Sequence, residues 1–285
     1  MNRRQELELK QFAAQIRLET IKEVGELGFG HLAGSLSVAD ALAVLYGKVM
    51  RIDPKNPDWP ERDLMVMSKG HAGPAVYATL ALKGYFPMDW LKTLNKPDTR
   101  LPSHCDRQKT PGIDMTTGSL GQGASTATGM ALGRKLADSD IRVFLFVGDG
   151  ECNEGQVWEA AMFSAHHKLD KFVWFVDYNK RQLDGFTKDV LDLGDIAAKF
   201  KAFGFYTQEV DGNDVRAISD AIDKAGEVKG QPSCIILDTV KGHGASELVE
   251  IELNHHVQIP KDFALRAEKE VQAVLDAIEE ELRHV

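Results

Sequence analysis

Short apolar runs alternate along the second half of the chain with longer segments in which apolar residues recur at helical spacing. The short runs predict buried strands, and the amphipathic segments predict helices between them. The predicted strands are residues 142–147, 172–177, 205–210 and 233–240, and a further short strand is predicted at 63–68. The predicted intervening helices are residues 156–167, 195–203 and 214–228. This alternation is typical of an α/β fold, a parallel sheet flanked by helices on both faces.

Outside this alternating region, the sequence predicts helices more than strands. The predicted helices here are residues 5–27, 75–83 and 125–136, and a closing helix is predicted at 261–283. Ser37 and Asn213 are side chains of the type that caps a following helix. Residues 94–123 form an irregular stretch rich in Pro, Thr and Gly, and a loop of this length is usually functional. Since no repeat or linker interrupts the chain, we expect one domain over residues 1–285.

Composition and charge exclude several function classes. The chain has 34 Lys and Arg against 43 Asp and Glu, and its net charge of −9 is unfavourable for binding nucleic acid. We expect no signal peptide at the charged N-terminus and no membrane-spanning stretch. Cys105, Cys152 and Cys234 are odd in number and are not spaced for zinc. They therefore indicate free thiols in a reducing cytoplasm.

Two polar residues follow successive predicted strands. Asp149 lies in Gly148-Asp149-Gly150 after one strand, and Asn179 follows the next. Carboxylate and amide oxygens suit a hard divalent cation that holds a diphosphate, and glycine lets a ligand approach the backbone. Two ordinary turns would show the same residues. The spacing alone leaves both interpretations open.

The surrounding motifs favour the cation site. Residues 148–159, Gly-Asp-Gly-Glu-Cys-Asn-Glu-Gly-Gln-Val-Trp-Glu, together with Asn179, resemble the thiamine diphosphate motif of the transketolase family. Ser68-Lys69-Gly70-His71, the glycine-rich run at 117–123 and Lys241-Gly242-His243-Gly244 occur in the family's order. The resemblance covers about residues 12 to 257 and is to the N-terminal, diphosphate-binding half of the family's enzymes.

The resemblance implies a cofactor site for thiamine diphosphate and Mg²⁺, with Ca²⁺ or Mn²⁺ as alternative cations. Its metal ligands would be Asp149, Asn179 and the backbone carbonyl of Arg181. The residues implied in cofactor binding are Lys69, His71, Gly118, Ser119, Leu120, Gly150, Asn179, Leu183 and Lys241. Leu183 is equally interpretable as a core residue at a strand edge, and the two lysines as ordinary surface residues.

The same resemblance implies catalytic roles for several histidines. His31 and His104 would hold the hydroxyls of a donor sugar, and either His255 or His256 would complete the site. Histidine suits this role because it exchanges a proton near neutral pH, although an isolated loop histidine is more often a surface residue. Glu154 would belong to an acidic network between paired active sites.

The implied activity is transfer of a two-carbon ketol unit from a ketose phosphate to an aldose phosphate. The pyrimidine-binding half would be a separate C-terminal transketolase subunit, which makes a heterotetramer the expected assembly and the isolated chain inactive. Two alternatives remain. One is an α-type subunit of a 2-oxo acid or acetoin dehydrogenase, which lacks the Ser-Lys-Gly-His turn, and the other is a non-catalytic cofactor-binding partner. Gly34 and Leu32-Ala33 depart from the family pattern and leave the donor sugar open.

Overall fold

The computed structural model describes residues 1–285. The helices are α1 (Arg3–Leu27), α2 (Leu32–Leu36), α3 (Ala39–Val44), α4 (Gly73–Leu82), α5 (Gln122–Leu136), α6 (Gly155–His166), α7 (Thr187–Val190), α8 (Ile196–Ala202), α9 (Val215–Glu227), α10 (Ser246–Glu250) and α11 (Lys261–Leu282). The strands are β1 (Phe29–Gly30), β2 (Leu64–Met67), β3 (Val143–Gly148), β4 (Phe172–Tyr178), β5 (Arg181–Gln182), β6 (Gly185–Phe186), β7 (Tyr206–Asp211), β8 (Ser233–Asp238) and β9 (Val257–Gln258).

Five strands form a central sheet in the order β2-β3-β4-β8-β7, and all neighbours are parallel. Parallel strands need crossover connections, and the intervening helices supply them. Side chains alternate between the two faces, so Phe144 and Phe146 join one apolar core, while Val143 and Leu145 join the other. Helices α5, α6 and α8 cover the second face, and the larger helical layer with α1, α3 and α9 covers the first. The predicted α/β class is confirmed.

Two predicted helix caps are wrong. Helix α3 begins after Val38, and Ser37 instead donates its hydroxyl to Asp177 at 2.7 Å, because the helical segment bends there onto the end of the sheet. Asp214 caps α9, and Asn213 donates its amide to Asp40. In both cases a tertiary hydrogen bond displaced the local one.

The expectation that no stretch is apolar enough to span a membrane also needs correction. Leu32–Val49 has the length and composition of a span, but 83% of it is buried within the protein. It is part of the core that covers one face of the sheet. The three cysteines are buried and free, as the sequence predicts.

A two-stranded antiparallel pair joins distant parts of the chain. Strand β1 pairs with β9, with Gly30 opposite Val257. This pairing places the loop at His31 beside the loop at His255 and His256. The short hairpin β5–β6 follows β4 and ends beside the same region.

Candidate functional site

Four neighbouring strands of the sheet deliver polar side chains to one edge. Lys69 follows β2, Asp149 follows β3, Asn179 follows β4 and Lys241 follows β8. We call these four residues the strand-end group. Because parallel strands end together, residues far apart in sequence meet at the carboxyl edge of the sheet. All four are buried and line a cavity of about 160 Å³.

The oxygen atoms of the predicted metal ligands are fixed by backbone hydrogen bonds. Asp149 accepts from the amides of Gly150, at 2.7 Å, and Lys180. Asn179 accepts from the amide of Arg181 at 3.1 Å. Burial and the nearby Asp177 raise the pKa of Asp149 to about 7. A cation at this position would favour the ionised carboxylate, so the electrostatics of Asp149 fit a metal ligand.

The donor set is oxygen-only and carries a single carboxylate. No group of three or more His, Cys, Asp or Glu side chains is arranged to hold a metal ion. One carboxylate, one amide and one carbonyl suit Mg²⁺ or Ca²⁺, which leave further positions to phosphate oxygens and water. The residues present therefore fit a hard cation bridging to a diphosphate.

A buried donor without a partner supports the diphosphate part of the fit. The Nε2 amide of Gln182 is buried and has no hydrogen-bond acceptor, and Gln182 lines the cavity together with Asp149 and Gly150. Leaving such a donor unsatisfied costs about 1–3 kcal/mol. A side chain on Gly150 would come within 2.7 Å of Gln182, so only glycine leaves this approach open. A phosphate oxygen is an acceptor that would satisfy Gln182.

Lys69 belongs to a buried ion pair. Its ammonium group donates to Asp177 and, at 2.8 Å, to the carbonyl of Gly34. A Cβ on Gly34 would lie 3.3 Å from the ring of His71, which gives a packing reason for glycine there. The surface-lysine interpretation of Lys69 is wrong, because the residue is 1% exposed.

Lys241 is also buried and joins the strand-end group to the histidines. Its ammonium donates to the carbonyl of Arg181 at 3.1 Å and lies 3.1 Å from Nδ1 of His255. Burial and Lys69 lower the pKa of Lys241 to about 8. The surface interpretation is therefore wrong for Lys241 too.

Five histidines meet above the strand-end group, and we call them the histidine cluster. The ring centroid of His31 lies 5.5 Å from His71, 5.6 Å from His104, 5.2 Å from His255 and 4.7 Å from His256. Burial, and then the neighbouring His256, lower the pKa of His31 to about 4. Burial and Lys241 lower that of His255 to about 3. The imidazoles of His31 and His255 are therefore neutral at pH 7, and each can donate one hydrogen bond and accept another.

His255 and His256 differ in depth. His255 lines the cavity, contacts Lys241 and lies 4.6 Å from the ring of His71. His256 is exposed and packs between His31 and Phe29. His255 is therefore placed for contact with a ligand deep in the site, and His256 at its entrance.

The glycine-rich run lies against the histidine cluster. A side chain on Gly118 would meet the ring of His104 at 3.4 Å, and one on Gly70 would meet the amide of Gly118 at 2.8 Å. Leu120 lines the cavity, whereas Ser119 is exposed. The run thus forms a close-packed backbone wall on one side of the site.

Two predicted residues lie at the periphery. Leu183 is 59% exposed at the tip of the β5–β6 hairpin, on the cavity edge, so the core interpretation is wrong. Glu154 is exposed at the start of α6 and makes no side-chain hydrogen bond within the chain. Its role in an inter-subunit network remains a prediction.

Sequence reasoning missed Asp177, Gln182 and Glu151. The carboxylate of Glu151 is buried and accepts from Ser68 and from the amides of Gly121 and Gly148. It therefore joins the glycine-rich run to the end of β3. Asp177 could have been found, because it is a charged residue in an apolar run. Gln182 and Glu151 have no comparable signal in the sequence.

Comparisons with known proteins agree with this geometry. The family described as "Transketolase, thiamine diphosphate binding domain" matches residues 9–270. The 6-deoxy-6-sulfo-D-fructose transketolase subunit SqwG of Clostridium sp. (strain MSTE9) is 48% identical over 94% of this chain and 98% of its own length. An apulose-4-phosphate transketolase subunit of Actinobacillus succinogenes is 38% identical over 97% of each chain.

A solved structure of transketolase from Leishmania mexicana superposes with a TM-score of 0.85 at 29% identity. The superposition includes 97% of this chain and 46% of that enzyme's chain. This chain therefore spans about half the length of that enzyme. The chain belongs to the transketolase family of transferases and comprises the family's thiamine diphosphate binding domain.

Proposed function

We propose that this chain is the thiamine diphosphate- and Mg²⁺-binding subunit of a split transketolase, which transfers a two-carbon ketol unit from a ketose to an aldose. The observation that carries the proposal is the convergence of the strand-end group beneath the histidine cluster. The two subunit relatives, which match along nearly their whole length, support the split arrangement.

The strand-end group and its neighbours hold the cofactor's diphosphate. Asp149, Asn179 and the carbonyl of Arg181 bind the cation, and Mn²⁺ or Ca²⁺ can replace Mg²⁺ because all prefer oxygen ligands. The amide of Gly150 and the unpaired Nε2 of Gln182 donate to phosphate oxygens. Lys241 offsets part of the negative charge, whereas the charge of Lys69 is already paired with Asp177.

The histidine cluster handles the sugar. When bound, thiamine diphosphate supplies the carbanion chemistry that breaks and forms the carbon–carbon bond. His31 and His104 bind hydroxyls of the ketose, and His71 reaches the diphosphate and the reacting carbon. Neutral imidazoles suit this role, since each can give a proton to an oxygen and accept one from another.

A partner subunit completes the site. The solved relatives are about twice as long as this chain, and the remaining half would contact the pyrimidine ring and the sugar's terminal anion. Helix α5 exposes Leu136, and helix α6 exposes Met162 and Phe163, apolar side chains that are suited to burial against another chain. Glu154 at the start of α6 would lie in this interface, within an α₂β₂ heterotetramer. The free thiols are consistent with a cytoplasmic enzyme.

The names of the two subunit relatives support a proposal for the donor class. One is named for a sulfonated ketose and the other for a phosphorylated one. We therefore assign a ketose with a terminal anionic group as the donor, with 6-deoxy-6-sulfo-D-fructose to be tried first because of the 48% identity.

Titration with the partner chain tests this proposal. The purified chain alone should show no ketol transfer, and activity should appear on addition of the partner and saturate at one to one. An Asp149→Ala chain should form the same complex without activity. Robust ketol transfer by the chain alone, with host transketolase excluded, would refute the split-subunit proposal. A complex that binds the cofactor yet transfers no ketol unit from any anionic ketose would favour a non-catalytic partner.

A further inference from the structure

Asp177 contacts Asn179, a ligand of the proposed cation, and has no assigned role. It is fully buried near the end of β4. Its carboxylate accepts hydrogen bonds from Lys69, Ser37 at 2.7 Å, Asn179 at 2.8 Å and Thr239. Burial of an ionised carboxylate is costly unless its oxygens are paired, and here both are.

Three donors besides Asn179 surround Asp177. The Lys69 ammonium and the hydroxyls of Ser37 and Thr239 all donate to its carboxylate. A carboxylate paired with an ammonium group accepts hydrogen bonds and has no proton to donate. Whatever faces it must donate.

This requirement sets the orientation of the Asn179 side-chain amide. An asparagine side chain has an oxygen and an NH₂ group of nearly equal size, and only its hydrogen bonds decide which points where. Asn179 gives Nδ2 to Asp177, and its Oδ1 accepts from the amide of Arg181. The flipped amide would set Oδ1 against a carboxylate and Nδ2 against an N–H group, so both contacts would be repulsive.

We propose that Asp177 is a positioning residue that holds the amide of Asn179 with Oδ1 presented to the cation. The inference rests on the proposed function, because it needs a cation held by Asn179. Lys69 and Thr239 donate to Asp177, so any effect that they have on the Asn179 amide is indirect. The hydroxyl of Ser37 ties the same carboxylate to the helical segment of Leu32–Leu36.

Cation affinity tests the proposal without reference to turnover. Binding of Mn²⁺ is followed by electron paramagnetic resonance in the complex with the partner chain, in the presence of thiamine diphosphate. Asp177→Asn retains the size of the side chain but lets its amide face Asn179 in either sense. The variant should weaken Mn²⁺ binding by about 10–100-fold, the usual effect of removing an outer partner of a metal ligand. Thr239→Val, which leaves the contact between Asp177 and Asn179 in place, should change it by less than about threefold.

A double-mutant cycle separates positioning from a general structural role. In an Asn179→Ala background the amide is gone, so adding Asp177→Asn should change Mn²⁺ affinity little. Equal losses in both backgrounds would overturn the proposal. If the wild-type complex binds no Mn²⁺ in the presence of thiamine diphosphate, that result contradicts the proposed function. The inference about Asp177, which depends on that function, is then wrong as well.

A second measurement tests the proposal even if the Asp177→Asn variant does not fold. In a crystal structure of the wild-type complex with Mn²⁺ and thiamine diphosphate, Oδ1 of Asn179 should contact the cation while Nδ2 still donates to Asp177. An Asn179 amide turned away from Asp177 in that structure would overturn the proposal.

Discussion

The strand-end group and the histidine cluster form the same cavity but are built differently. The strand-end group is buried at the ends of four hydrogen-bonded strands, and Asp149, Asn179 and Lys69 each have defined hydrogen-bond partners. The histidine cluster lies on loops, and its rings pack against one another at 4.6–5.6 Å. Only His255 makes a polar side-chain contact within the site, with Lys241.

The difference separates binding from turnover. Fixed charges on rigid strands are preorganised for the cation and the diphosphate that we propose they hold. Imidazoles on loops remain free to bond with a substrate that enters and leaves. Substitutions in the strand-end group should therefore affect cofactor affinity. Substitutions in the histidine cluster should affect rate, except at His71, which reaches the diphosphate.

The largest effect is expected at Asp149. Asp149→Ala removes the only carboxylate of the donor set, so metal-dependent binding of thiamine diphosphate should fall below detection in calorimetry of the assembled complex. Circular dichroism should show an unchanged fold. Asp184→Ala, an exposed carboxylate at the tip of the nearby hairpin, is the matched control and should bind normally. Near-normal affinity of Asp149→Ala with EDTA present would exclude the metal site.

His104→Ala should reduce turnover and leave cofactor affinity unchanged. Loss of one hydrogen bond to a developing charge typically costs ~10²–10³ in rate. Steady-state kinetics with a ketose donor measures the loss, with His166→Ala, an exposed histidine on α6, as control. An unchanged kcat/KM would show that His104 only packs against Gly118.

His255 and His256 sharpen the comparison within the cluster. Because His255 lines the cavity and contacts Lys241, His255→Ala should lower kcat by ~10². His256 is exposed at the entrance, so His256→Ala should lower it by less than ~10-fold. Parallel measurement of the two variants decides the assignment, and the reverse ranking would make His256 the active-site histidine.

The smallest expected effect is on stability at mildly acid pH. Burial and His256 lower the pKa of His31 to about 4, whereas an unfolded histidine has a pKa of about 6.5. Between these values the unfolded state binds a proton that the folded state does not, so the free energy of unfolding falls as pH drops from about 6.5 to 4. Urea unfolding at several pH values measures the slope. His31→Asn should flatten it, and an identical slope would contradict the lowered pKa.

The sequence predicted the central strands because they are nearly continuous apolar runs. In β4, Trp174 and Val176 are buried on one face and Val173 and Phe175 on the other, and such a pattern needs no tertiary information to be recognised. The ends of the elements were predicted less accurately. Strand β8 ends at Asp238 rather than at residue 240, and Ser37 and Asn213 do not cap helices. Local capping preferences lost to hydrogen bonds with residues distant in sequence.

The sequence by itself determined the fold class, the family motifs and which residues could hold a cation and a diphosphate. Only the tertiary structure decided which side chains meet. It placed His255 rather than His256 on Lys241, buried Lys69 against Asp177, and left Gln182 without an acceptor. The physical reason is that motifs record local geometry, whereas ion pairs and unpaired donors depend on how separate strand ends are brought together. The parallel order β2-β3-β4-β8-β7 fixes that arrangement, and no single stretch of sequence contains it.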